Sequence, residues 1–161
     1  MSSEPLNVDD YEALAAAQID PGALGYFAGG ADDELTLRWN VEAFRAWRLR
    51  PRVLVDVESC SLATTVLGQE LALPLLVAPV AYQRILHPDG EPGMARAVKA
   101  VGSIMCLSTF ATATPEEVAE TGVARWFQLY AFTDLGVRRE IVARAREAGF
   151  TALVLTVDTP V

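Results

Sequence analysis

From Leu73 onward, four apolar strand-like runs recur in step with helical ones. They are LPLLVAPV (73–80), SIMCLST (103–109), RWFQLYA (125–131) and TALVLTV (151–157). Between them lie GEPGMARAVKAVG (90–102), PEEVAETG (115–122) and GVRREIVARAREAG (136–149), each with the spacing of a helix. Runs that are apolar on both faces and alternate with helices signal a parallel sheet of βαβ units with right-handed crossovers. Two α/β architectures are built that way, a doubly wound open sheet and a TIM (β/α)8 barrel. A dinucleotide-binding sheet wants a GxGxxG fingerprint after its first strand. Here the first strand ends in Ala78-Pro79-Val80-Ala81, which favours the barrel. A complete barrel needs eight βα units and about 250 residues. This chain of 161 residues supplies four strands and stops just past the fourth, so half a barrel is expected.

Ahead of the barrel strands the pattern is helical. Asp9 or Asp10 can cap a helix over Tyr11–Gln18, and Pro21 suits the first turn of a second helix that stops near Gly29-Gly30. The run DDELTLRWNVEAFRAWRL places Leu35, Trp39, Phe44 and Trp47 at helical spacing. TTVLGQELAL (64–73) then reads as a β-hairpin turning at Gly68. The expected organisation is an N-terminal helical segment over residues 1–63 and the hairpin plus first half-barrel over 64–161.

Composition narrows the class. With 52% apolar and 21% charged residues the chain reads as a folded, soluble domain. A net charge of −8 argues against a nucleic-acid surface, because phosphate binding needs clustered Lys and Arg. The longest apolar stretch, Leu71 to Tyr82, holds two prolines and is far short of the roughly 20 residues a membrane helix needs. The acidic start MSSEPLNVDDYE has no secretory character, which makes the cytoplasm the default compartment. Cys60 and Cys106 form no CxxC pair and only one histidine accompanies them, so both read as reduced thiols and no metal site is expected.

In a barrel the active site lies at the carboxyl ends of the strands. That rule selects Pro79, Val80 and Ala81 after the first strand, and Ser108 and Thr109 after the second. It adds Gln128 and Tyr130 after the third, and Thr156 and Asp158 after the fourth. Apart from Asp158 these are neutral hydrogen-bonding groups around an apolar turn, with no nucleophile–base pair and no paired carboxylates. They suit a planar, hydrogen-bonding cofactor better than hydrolysis, since an amide such as Gln128 both donates and accepts.

The segments YFAGGADDELTLRWNVEAFRAWRLRPRVLVDV, TTVLG, LPLLVAPVAYQRILHPDGE, LSTFATATPEEVAE, WFQLYAFTD and ALVLTVDTPV resemble, in order and spacing, the FMN-dependent 2-hydroxy-acid dehydrogenase family. Glycolate, lactate and hydroxymandelate oxidases belong to that family, and the similarity runs from about Tyr11 to Val161. The resemblance implies FMN as cofactor and the oxidation of a small 2-hydroxy acid to a 2-keto acid, by hydride transfer to flavin N5. It implies that Tyr26 bonds the substrate carboxylate, that Tyr130 lies near the reacting hydroxyl as the catalytic candidate, and that Phe110 lines the substrate pocket. Pro79, Val80 and Ala81 would border the flavin edge, and Ser108, Gln128 and Thr156 would bind its ring system. Alanine at position 81 tends to accompany oxidase rather than dehydrogenase behaviour. The family's histidine base, arginine pair, lysine and phosphate-binding loops belong to the second half of the barrel and are not in this chain. A homo-oligomer, commonly a tetramer, is implied for the full-length parent.

Competing structural readings accompany several of these residues. Tyr26, Gln128 and Tyr130 would also occur in an ordinary helix or strand. His87, in HPDGE, is expected in a structural loop rather than as a base. Asp158 is read as structural, Asp32, Asp33 and Glu34 as a solvated helix start, and Gly29-Gly30 as a helix stop rather than a phosphate cradle. Two functional classes stay open: a piece of a normal flavoenzyme, or a catalytically inactive half-barrel acting only as an association module. The open sheet edges of a half-barrel, an aggregation hazard, favour the first.

Overall fold

The computed structural model describes residues 4–158. The chain divides into two compact units, Met1–Ser59 and Cys60–Val161.

The first unit is helical. α1 spans Val8–Ala16, α2 Pro21–Ala28 and α3 Leu35–Glu42, with a tighter 3-10 turn over Ala43–Ala46. The aspartates expected to cap α1 instead lie inside its first turn. Asn7 is the cap and accepts from the Asp10 N–H at 2.9 Å, while the Asp10 carboxylate accepts from the Leu6 N–H at 2.8 Å. The two bonds start the helix three residues earlier than expected. Asp20 caps α2 through the Gly22 and Ala23 amides, Pro21 occupies its first turn, and the helix stops at Gly29. The acidic triplet does not enter α3. Glu34 adopts a left-handed conformation before it, and its carboxylate accepts from the Gly30 N–H. None of the three helices buries a residue among the described ones.

The second unit opens with the expected hairpin, β1 (Thr64–Val66) antiparallel to β2 (Gln69–Leu71), whose two turn residues Leu67 and Gly68 both have positive φ. A parallel sheet follows, in the order β3 (Ile104–Leu107), β4 (Ala124–Leu129), β5 (Leu153–Leu155). The expected first barrel strand is reduced to one parallel bridge, Val77 to Met105. There the Val77 N–H donates to Ile104 O and the Cys106 N–H donates to Val77 O. Pro74 and Pro79 flank that bridge, and neither has an N–H to extend the ladder.

α4 (Gly90–Ala100), α5 (Pro115–Glu120) and α6 (Leu135–Glu147) connect these rows. Each ends two residues before its expected limit, where Gly102, Gly122 and Gly149 turn left-handed. α5 begins on a capping box, with Thr114 Oγ1 accepting from the Glu117 N–H and the Glu117 carboxylate from the Thr114 N–H. One core cluster joins all three helices to the sheet: Ala95 and Val98 from α4, Met105 and Leu107 from β3, Val118 from α5, Phe127 from β4 and Ala145 from α6. Strand rows in strict chain order, with every connecting helix in the same core, are the βα repeat of a barrel. A doubly wound sheet would reverse its strand order. The sheet is open, a partial barrel rather than a closed one.

Candidate active site

Side chains alternate across a strand. On β4, Phe127 and Leu129 face the helical core, which turns Gln128 to the opposite face. Gln128 is 2% exposed, and its amide ties together the carboxyl ends of three strands. Its oxygen accepts from Ser108 Oγ at 3.3 Å and from the Thr109 N–H at 3.1 Å, and its Nε2 donates to Thr156 Oγ1 at 2.8 Å. Thr109 Oγ1 donates to Gln128 O at 2.5 Å and accepts from the Tyr130 N–H at 3.2 Å. The Phe110 N–H donates back to Ser108 Oγ. Every polar side chain in this cluster is uncharged.

An aromatic group lies beside it. The Phe110 ring stacks on Tyr130 at 5.0 Å and on Tyr82 at 6.2 Å, and meets Phe132 edge-on at 6.2 Å. The Tyr82 N–H donates to Phe110 O, which brings the Pro79–Ala81 turn alongside the loop after β3. Val80 and Phe110 are part-exposed at 37% and 39%, so the aromatic wall faces open space rather than core.

The structure thus joins Ser108, Gln128 and Thr156 directly, stacks Phe110 on Tyr130, and links the turn at Pro79, Val80 and Ala81 to them through Tyr82. Tyr26 belongs to the first unit, on α2, with its ring edge-on to Phe27 at 4.9 Å. His87 lies in the loop ahead of α4, where its Nδ1 accepts from the Asp89 N–H at 3.1 Å. Cys106 is buried, and burial pushes its thiol up to about 11, which makes it inert. Among the described residues no group of three or more His, Cys, Asp or Glu is arranged to hold a metal ion. Likewise none of the described helices is long and apolar enough to cross a membrane. Tyr82 and Phe132 were not singled out as site candidates. Their adjacency to named strand ends, in VAY and LYAF, was the available signal.

Comparison with known proteins places the chain in a family. A model described as FMN-dependent dehydrogenase matches residues 15–161, and the chain belongs to that family, whose members depend on FMN. It is 49% identical over 158 residues to glycolate oxidase 1 of Zea mays, covering 98% of this chain and 43% of the relative. It is 48% identical to an L-lactate oxidase of Nostoc sp. strain PCC 7120, covering 99% and 45% respectively. Among solved structures, a mandelate oxidase superposes with a TM-score of 0.94 at 36% identity, over 98% of this chain and 46% of that one. The chain therefore spans about half the length of the curated relatives it matches.

The donor set fits part of FMN. A row of neutral donors and acceptors at strand ends, beside a backbone turn and an aromatic wall, suits the edge of an uncharged heteroaromatic ring. It does not suit a phosphate, for which this cluster offers no basic group.

Proposed function

We propose that this chain is the amino-terminal half of an FMN-dependent oxidase that converts a small 2-hydroxy acid to a 2-keto acid. The uncharged Ser108–Gln128–Thr156 chain of hydrogen bonds at the carboxyl ends of three parallel strands, with Ser108 and Gln128 buried, carries that reading. Family membership supplies its chemistry. When bound, FMN supplies a two-electron acceptor for the hydrogen on the hydroxyl-bearing carbon.

The chain's own residues bind, orient and exclude water. Ser108, Gln128 and Thr156 present hydrogen-bonding groups to the ring edge, and the network linking them keeps their rotamers set before a ligand arrives. Pro79, Val80 and Ala81 border the ring with backbone and small apolar groups. Phe110 and Tyr130 make a flat wall for the acid's substituent, with the Tyr130 hydroxyl near the reacting hydroxyl. Tyr26 bonds the substrate carboxylate. The base that takes the hydroxyl proton, the cations that hold the carboxylate and the phosphate site come from the remainder of the longer protein. The 161-residue chain alone accordingly neither retains FMN nor turns over substrate. Alanine at 81 supports an oxidase, and the reading carries a cytoplasmic homotetramer for the whole protein.

The alternative, an inactive association module, draws on the half-exposed Leu153 and Leu155 along β5. The rest of a barrel would cover those residues equally well. One experiment separates the two readings: purify the protein extended through its second half, then add glycolate, lactate and mandelate anaerobically. Bleaching of a flavin spectrum by one of them supports the oxidase and names the substrate class. A colourless protein, or a flavin that none of them reduces, overturns it.

A further inference from the structure

The HPDGE segment (87–91) has no part in the proposed reaction, yet it ends on a carboxylate that the fold buries completely. Glu91, in the first turn of α4, is 0% exposed. Its Oε1 accepts from the Thr112 N–H at 2.8 Å and from the Gln83 N–H at 3.2 Å, and its Oε2 accepts from Thr112 Oγ1 at 2.6 Å. No ion pair among the described residues includes it. Burial alone would raise this carboxyl, but the donors from Thr112 and Gln83 outweigh it and hold the group below its ordinary range.

The two segments that Glu91 joins are the turn after the first strand row and the loop after β3. Three successive amides of that turn bond to Glu91 or to the loop after β3. The Tyr82 N–H donates to Phe110 O at 3.1 Å, the Gln83 N–H to Glu91, and the Arg84 N–H to Thr112 Oγ1 at 3.2 Å. The Arg84 guanidinium adds a bond to Thr112 O at 2.9 Å, and Gln83 Nε2 reaches back to Val80 O. Tyr82 takes a left-handed backbone, φ 56°, which a residue with a Cβ keeps only where its surroundings over-determine it. Gly90 makes the close approach feasible. It has φ 47°, and a Cβ there would stand 2.5 Å from Arg84 Cγ. A carboxylate suits the position because it offers acceptors only, on two oxygens, to donors arriving from two loops.

We infer that Glu91 is a positioning residue: by gripping the amides of Gln83 and Thr112 it fixes the separation between the Val80–Tyr82 turn and the Ser108–Thr112 loop. The inference rests on the functional reading above, in which these are two walls of the flavin and substrate site. Glu91 touches neither ligand and acts through the walls.

The test uses Glu91→Gln, which keeps shape but loses one acceptor, and the milder Thr112→Val, which removes the hydroxyl at nearly constant volume. Glu120→Gln, exposed on α5, serves as control. Amide exchange on this chain, followed by NMR, is expected to quicken at least about tenfold at residues 83 and 112 in both variants, with Met105 in the core unchanged. In the extended flavoprotein, anaerobic flavin reduction at saturating substrate is expected to slow about tenfold with a smaller change in KM. The double variant should be no slower than the slower single one, as for groups acting as one unit. Unchanged exchange at both amides overturns the inference. So does faster exchange with unaltered reduction, which would make Glu91 merely structural, and so do additive effects. If the unmutated flavoprotein is reduced by none of the acids, the functional reading fails, while the exchange data still judge the grip of Glu91 on the two loops.

Discussion

The two units of this chain spend their apolar residues in opposite ways. In Cys60–Val161, the helices, strands and loops pool Ala95, Val98, Met105, Leu107, Val118, Phe127 and Ala145 into one closed cluster. In Met1–Ser59, Trp39, Phe44, Trp47 and Leu49 are all largely exposed, and no helix among the described residues buries a side chain. Yet the helices of the first unit are as well signalled as those of the second. Asn7 and Asp20 cap their helices as effectively as Thr114 and Asp134 cap theirs. Good local signals therefore settle where a helix starts, whereas stability comes from the area that a face removes from water. Only the second unit has such an area within itself.

The sharpest way to break this contrast is to express the units separately. Residues 60–161 are expected to melt cooperatively by circular dichroism and residues 1–59 to show no cooperative transition; a sigmoidal melt of the shorter piece would end the comparison. Next in size, Leu107→Ala in the buried β3 should lower the free energy of urea unfolding by about 2–5 kcal/mol. Trp47→Ala, at a site 83% exposed, should change it by less than about 0.5 kcal/mol. Thr114→Ala, which dismantles the α5 capping box, should cost about 1 kcal/mol of the same transition. Asn7→Ala should leave that transition unmoved and reduce only helical ellipticity.

The smallest effect concerns the ion pair that ties α5 to α6, Glu116 with Arg144 at 3.0 Å. Hydrogen bonding to the Arg144 guanidinium holds the Glu116 carboxyl down at about 2. A carboxylate lowered on folding contributes its stability above its ordinary value of about 4.3 and loses it as pH falls through the folded value. Wild type should therefore melt slightly above Glu116→Gln at neutral pH. The gap should close between about pH 4 and about pH 2. A gap that is constant across that range would show that the pair is fully screened by solvent.

Much of the fold was legible because it depends on neighbours a few residues away. The alternation of apolar runs and amphipathic segments marked the βα repeat, Gly68 marked the hairpin, and Pro21 with Gly29 bounded α2. The strand-end rule needed only those strand positions to single out Ser108, Gln128 and Thr156, which the structure links directly. Two readings failed where nearby residues offered rival solutions. Asp9 and Asp10 looked like caps, but Asn7 lies three residues ahead of Asp10, the spacing at which its side chain accepts from the Asp10 N–H. The run 73–80 looked like a full strand, but two residues without an N–H leave it a single bridge.

What the amino-acid sequence determined by itself is the order and kind of elements, since capping, turning and periodicity are short-range hydrogen-bonding and steric matters. Tertiary structure alone decided that Glu91 is buried between two loops rather than solvated at a helix start, and that Phe110 stacks on both Tyr82 and Tyr130. Burial and long-range contact are properties of segments brought together by the sheet. A carboxylate beside a helix start is written the same way whether water or two backbone amides will meet it.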